Sequence, residues 1–170
     1  MIFSCTNKVI KRLEPLKQVV IDKQEKQLIN WYVDQITFER KKHFLFTNSK
    51  TLFSFIIYFG TKKEILNFQS IFANKYKEQI IRLFGFNQSF IDSINEELRI
   101  LKFCKTNNRS ILGSMNDFKL NASSRIKQEI LNNETLNSIN FYLNQMPMGS
   151  LKYKNPFEIH KAELEKLNKF

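Results

Sequence analysis

The amino-acid sequence predicts an α+β fold: a small, mainly antiparallel sheet packed by helices, with a helical C-terminal third. Three observations carry that prediction. Residues 35–59 hold one alternating run, a short returning run at Phe44 to Thr47 and a run apolar on both faces, separated by turn residues, which is the pattern of a strand meander. Residues 65–84 place apolar side chains three and four apart, the period of a helix that buries one face. After Cys104 the apolar residues follow helical spacing, with no further strand-like run.

Taken in order, Ile2 to Cys5 reads as a short strand, and Thr6 stands where it can cap a helix over Asn7 to Leu13 that Pro15 stops. Residues 16–33 leave two readings open, a strand around Val19 to Ile21 or a short helix over Glu25 to Tyr32. Ile36 and Phe38 alternate with Gln35, Thr37 and Glu39, Arg40 to Lys42 makes a charged turn, and Phe44 to Thr47 returns as the partner strand. After a second turn at Asn48 to Lys50, the run Leu52 to Phe59 is apolar on both faces and is expected to be a central strand ended by Gly60. Thr61 and Glu64 have capping-box spacing for a helix that reaches Phe84, with Gly85 suited to its left-handed end.

A short helix over Gln88 to Leu98 and a strand over Arg99 to Cys104 follow. Leu112, Met115, Ile126 and Ile130 carry the next helical pattern, which Asn121 to Ser124 are placed to interrupt. Thr135 to Gln145 is a helix closed by Pro147, and Asn155-Pro156-Phe157-Glu158 is a helix start with an asparagine cap and proline at the first position. Phe157, Leu164 and Leu167 would dock this last amphipathic helix, which is nonetheless expected to be dispensable or partner-facing. The chain reads as one domain over residues 1–170, with its core in 1–145 and a linker and helix in 146–170.

Seventeen phenylalanines and a 42% hydrophobic fraction supply an ample core, while charged residues at 25% argue against wholesale disorder. The net charge of +11 suits a nucleic-acid or other polyanionic partner. It equally suits a solvated surface of one sign: Lys greatly outnumbers Arg, and a Lys-, Asn-, Ile- and Phe-rich composition is what AT-rich coding produces. Cys5 and Cys104 lack metal-ligand spacing and are expected as two buried thiols in a reducing cytoplasm. No metal site is expected, and no cofactor motif (neither GxxxxGK[ST] nor GxGxxG) is present. No apolar run is long enough to span a bilayer, so no membrane association is expected. His43, in the hairpin turn, and His160, among charged residues, are both expected to be solvated. The aromatic set Trp31, Tyr32, Phe38, Phe44 and Phe46 reads as core in preference to a base-stacking platform.

The segment from Lys105 to Asp117 stands apart. It sets two cations, Lys105 and Arg109, several amide and hydroxyl side chains and one of only four glycines directly after a strand-like run. With Asn108 or Ser110 capping the next helix, its first backbone N–H groups and the two cations would form an anion site, and Gly113 would permit close approach to the backbone. The competing reading is a helix cap in which Arg109 pairs with Asp117 or another acid and Gly113 serves packing.

Three segments, Cys5-Thr-Asn-Lys8, Phe46-Thr-Asn-Ser-Lys-Thr-Leu52 and Lys105-Thr-Asn-Asn-Arg-Ser-Ile-Leu-Gly-Ser-Met-Asn-Asp117, resemble the signature blocks of an uncharacterised bacterial family catalogued as a domain of unknown function. The last has the form Lys-Thr-x-x-Arg-Ser-x-x-Gly-Ser-x-Asn-Asp, and the likeness spans roughly residues 1 to 145. The resemblance implies one domain and confers no activity. It further implies that Thr6, Thr47, Asn48, Arg109, Ser110, Gly113 and Asn116 belong to one site, which Lys105 joins on its charge.

The leading expectation is therefore a small intracellular binding module for a phosphate-bearing or nucleic-acid partner, its ligand residues Thr6, Asn48, Lys105, Arg109, Ser110, Gly113 and Asn116. Two alternatives stay open: a metal-independent enzyme acting on RNA or a nucleotide, and a protein-partner module of a mobile-element defence or addiction system. No catalytic residue can be named, because Ser110 and Ser114 have no neighbouring histidine and Asp117 stands alone in the segment.

Overall fold

Three antiparallel strands form the longer half of a five-stranded mixed sheet in the computed structural model, which describes residues 1–14, 16, 28–85, 92, 101–126 and 131–167. Strand β2 (Asn30–Phe38) pairs with β3 (Lys41–Asn48), and β3 pairs with β4 (Ser54–Tyr58). The shorter half is parallel: β1 (Ile2–Cys5) runs alongside both β2 and β5 (Lys102–Lys105), giving the order β4-β3-β2-β1-β5. The helices are α1 (Asn7–Leu13), α2 (Lys62–Leu66), α3 (Phe68–Phe84), α4 (Arg109–Ile126), α5 (Asn133–Gln145) and α6 (Pro156–Leu167), with a 3-10 turn at Gly149–Leu151. The α+β class is as the sequence predicts, and after β5 the described residues form helices and no further strand.

Period-two alternation sorts the strand side chains onto two faces. Phe3, Trp31, Phe44, Phe46 and Phe55 pack on one face with α1, α2, α3 and Leu164 of α6. Tyr32, Ile36, Leu45 and Ile56 pack on the other beneath Ile111, Met115 and Phe118 of α4 and Leu136, Ile139 and Leu143 of α5. The five aromatics of the sequence-predicted core set are all buried here. Cys5 and Cys104 are free and buried. Although β1 and β5 are neighbours, Cys104 stands opposite Ser4 and Cys5 opposite Lys105, so the two thiols face different layers.

Several local signals hold. Thr61 and Glu64 form a reciprocal capping box, Gly85 ends α3 in the left-handed region at φ 67°, and the Asn155 side chain accepts from the Glu158 N–H at 2.8 Å. Other readings need correction. The first hairpin turns at Glu39 and Arg40, both left-handed at φ 46° and 64°, and Lys41 and Lys42 are already paired strand residues. Two successive positive-φ residues make the tight turn whose twist matches the flanking strands. The single helix from Thr61 to Phe84 is broken at Asn67, whereas α4 passes through Asn121 to Ser124 without interruption. Trp31 and Tyr32 lie in β2 and not in a helix; residues 17–27, Pro15 and Ile130, and the Gln88 to Leu98 helix apart from Asp92, lie outside the described residues.

A further correction concerns β4. It is apolar on both faces as read, but it lies at the sheet edge. Two buried asparagines one turn apart on α5 take the place of the missing strand. Asn144 accepts from the Ser54 N–H at 2.7 Å and donates to the Ser54 carbonyl at 2.6 Å, while Asn140 accepts from the Ile56 N–H at 2.8 Å. Each side-chain amide offers the donor and acceptor of a peptide group, so an edge that would otherwise bury unpaired backbone is satisfied.

The last helix is part of the core. Its His160 is fully buried, lies parallel to the Phe53 ring at 4.3 Å between centroids, and bonds through Nδ1 to the Thr51 hydroxyl and through Nε2 to the Tyr76 hydroxyl. His43 is buried as well, held between Phe38 and Tyr58. Neither ring is the freely solvated side chain expected, because each packs against aromatic neighbours on the inward face of its element. Among the described residues no helix is long and apolar enough to cross a membrane.

Candidate functional site

Strands β1 and β5 are adjacent and parallel, and the chain leaves their carboxyl ends in opposite directions. From β1 it enters α1, which packs on the Phe3 face; from β5 it enters α4, which packs on the Tyr32 face. Loops diverging from neighbouring parallel strands leave a crevice between them, and that is where open α/β sheets bind ligands. The Thr6 segment forms one wall and residues 105–109 the other, in register because Cys5 pairs with Lys105 and the Thr106 N–H donates to the Cys5 carbonyl at 3.3 Å. Two segments distant in sequence thus converge.

The floor is polar and tied to β2. Asp34 accepts from the Thr6 hydroxyl at 2.7 Å and from the Gln35 N–H at 2.8 Å, and its second oxygen takes the Lys119 ammonium of α4. With three donors engaged, this carboxylate anchors the Thr6 loop to α4 and is not a free base. Beside it the Tyr32 hydroxyl donates to Asn107 Oδ1 at 2.9 Å, fixing the opposite wall. Burial raises the Tyr32 pKa, which keeps that hydroxyl a donor.

The residues singled out in the sequence divide into two groups. Thr6, Lys105, Arg109, Ser110, Gly113 and Asn116 lie along the two loops and the first turns of α4. Asn108 is the cap of α4: its side chain accepts from the Ser110 and Ile111 N–H groups at 3.0 and 3.2 Å, so two donors of the helix end are already occupied. Arg109, Gly113 and Asn116 are exposed on successive turns, and Arg109 has no acidic partner among the described residues. A Cβ placed on Gly113 would meet nothing within 4 Å, so the chain's own packing does not call for glycine there. Ser114, by contrast, turns inward to Ser150 at 3.3 Å.

Thr47 and Asn48 do not join this crevice. Asn48 stands opposite Trp31, three positions along β2 from Asp34, and is fully buried. Its Oδ1 accepts from Lys50 N, Thr51 N and the Thr51 hydroxyl, and its Nδ2 donates to the Leu28 carbonyl at 2.8 Å, so it builds the β3–β4 turn. Thr47 pairs with the Ser54 hydroxyl at 2.8 Å under α5.

Asp34, Lys119, Tyr32 and Asn107 were not foreseen. One signal was available for Asp34: it is an acid inside a run of strand-forming residues, where an unpaired carboxylate would be costly. Nothing in the sequence pointed to Lys119, whose partner is 85 residues away. Among the described residues no group of three or more His, Cys, Asp or Glu side chains is placed to hold a metal ion.

The model of a family described as Domain of unknown function (DUF6933) matches residues 2–159, a span that holds both walls of the crevice and the beginning of α6. No curated protein matches the chain.

Proposed function

We propose that this chain, which belongs to the DUF6933 family of domains of unknown function, is a binding module that holds a phosphate-bearing or nucleic-acid partner at the crevice outside β1 and β5. The observation that carries the reading is the exposed Arg109 guanidinium, without an acidic partner among the described residues, at the mouth of a crevice between diverging parallel strands. Lys8, in the first turn of α1, and Lys105, at the end of β5, are exposed and add positive charge to the two segments that leave these strands. A guanidinium offers paired N–H donors to a phosphate, and the surrounding charge attracts a polyanion over a longer range. The net charge of +11 acts in the same sense.

The test is binding to single- and double-stranded RNA and DNA across a salt series. Affinity is expected to fall as salt rises, and Arg109→Ala to weaken it about tenfold while lowering the slope of log K against log salt by about one. Thermal unfolding of Arg109→Ala should match wild type, since the side chain is exposed. Binding indifferent to salt, or unchanged in this variant, overturns the reading.

Gly113 supplies a second check. Gly113→Ala is expected to stabilise α4 by about 0.5–1 kcal/mol, because alanine favours a helix interior and the added methyl meets open space. If the partner lies against the backbone there, the same substitution lowers affinity, separating stability from binding in one variant. Denaturant titration and the binding assay measure the two effects.

A further inference from the structure

At the far end of the β2–β3–β4 meander, a cleft of about 290 Å³ opens between the strands and the start of α5, lined by Lys41, His43, Tyr58, Leu131, Asn133 and Leu136. Its chemistry differs from that of the crevice. His43 Nδ1 lies 3.1 Å from the Lys41 carbonyl, which can only accept, so Nδ1 carries the proton and Nε2 is left as the acceptor. That nitrogen has no partner among the described residues and is not among their fully buried unpaired atoms, so it is the ring nitrogen open to the cleft. Burial lowers the His43 pKa, in keeping with a neutral ring.

An imidazole lone pair facing a cleft repels an anionic oxygen and calls for a ligand N–H or O–H. The walls ask for a flat ligand. Tyr58 presents an exposed phenol ring edge-on to His43, with centroids 5.4 Å apart, and Leu131 and Leu136 supply apolar surface. The Asn133 amide has no partner among the described residues and adds both a donor and an acceptor, while Asn132 beside it is occupied in capping α5 at Thr135. The volume sits at the small end of the range for small-molecule pockets, enough for a ring system and not for an extended chain.

We propose that this cleft binds an uncharged heteroaromatic ring of the nucleobase type, stacked against Tyr58 and donating an N–H to Nε2 of His43. Gly60 takes part indirectly. A Cβ there would overlap the Tyr58 phenol, so glycine is what allows that ring its present position. The proposal is independent of the crevice, and nucleosides without phosphate test it without engaging the crevice cations.

The experiment titrates adenosine, guanosine, cytidine and uridine into the whole protein while following the imidazole nitrogen resonances of His43. At least one is expected to shift Nε2 saturably, and His43→Phe, which keeps a ring and removes the acceptor, to weaken that binding about tenfold or more. Gly60→Ala, which displaces only the far end of the Tyr58 side chain, should weaken it too while unfolding near the wild-type temperature. If His43→Phe fails to fold, Gly60→Ala decides alone. The absence of a saturable shift with all four nucleosides at millimolar concentration overturns the proposal, as does affinity unchanged by either variant.

Discussion

Asn144→Leu is expected to destabilise the protein by about 3–5 kcal/mol, although the substitution nearly conserves volume and adds apolar surface. The Ser54 N–H and carbonyl both bond to the Asn144 amide, which also donates to the Asn140 carbonyl at 2.7 Å. Asn144 is fully buried, so water does not replace it. Each buried backbone group left unpaired costs about 1–3 kcal/mol, and two are orphaned at once. Asn144→Asp discriminates further: it retains an acceptor for the Ser54 N–H but turns a carboxylate oxygen toward two carbonyls, and is expected to be as damaging near neutral pH. Urea unfolding measures both. A leucine variant as stable as wild type would show that the amide clamp contributes nothing net. The exposed β4 edge should also make the variant prone to association, visible by light scattering.

Acid sensitivity centred on His160 is the second large effect expected. Burial lowers its pKa from 6.5 to about 3, with Glu163 on the same helix opposing that shift. In the unfolded chain the imidazole takes up a proton near pH 6.5, whereas in the folded protein it does so only near pH 3. Between these values the unfolded state holds the extra proton, so stability is complete above pH 6.5 and declines as the pH falls toward 3. One pKa unit corresponds to about 1.4 kcal/mol, so stability at about pH 5 should lie about 2 kcal/mol below its value at neutral pH. His160→Gln should lose stability at neutral pH, through its contacts with Thr51 and Tyr76, yet show a flatter dependence between pH 7 and 5. Burial lowers the His43 pKa in the same direction, so the difference between wild type and His160→Gln is the informative quantity. A difference that does not change with pH would contradict a buried neutral His160. Glu163, whose pKa is lowered by hydrogen bonds from Lys166 and Lys50, adds its own loss at lower pH.

Both predictions concern residues that looked ordinary in one dimension. His160 lies between isoleucine and lysine in a helix rich in charge, and its burial depends on Thr51, Phe53 and Tyr76 arriving from elements about a hundred residues earlier. Asn140 and Asn144 have the spacing of one helix turn, which is shared by many solvated pairs. Asn48 shows the opposite case. The family resemblance implied a ligand contact for it, but its side chain bonds instead to the β3–β4 turn through Oδ1 and to the Leu28 carbonyl through Nδ2. Thr6 stands directly before α1, where the sequence places a helix cap, yet its hydroxyl turns to Asp34 because β2 places a carboxylate within 2.7 Å.

The sequence by itself determined what short-range physics controls. Capping chemistry set the starts of α2 and α6, the left-handed preference of Gly85 ended α3, and alternation with apolar runs marked the strands and their burial. It also marked residues 105–117 as unusual. Tertiary structure decided everything that depends on which elements meet. It put β1 between β2 and β5, sent the loops after β1 and β5 to opposite faces, and so brought Thr6 beside residues 105–109 while leaving Asn48 elsewhere. It made β4 an edge strand and supplied its missing partner from a helix. Periodicity records how much of a residue is buried, since hydrophobic transfer depends on a residue's own surface. It does not record against what, because hydrogen-bond and charge pairing depend on partners whose separation along the chain carries no local signature.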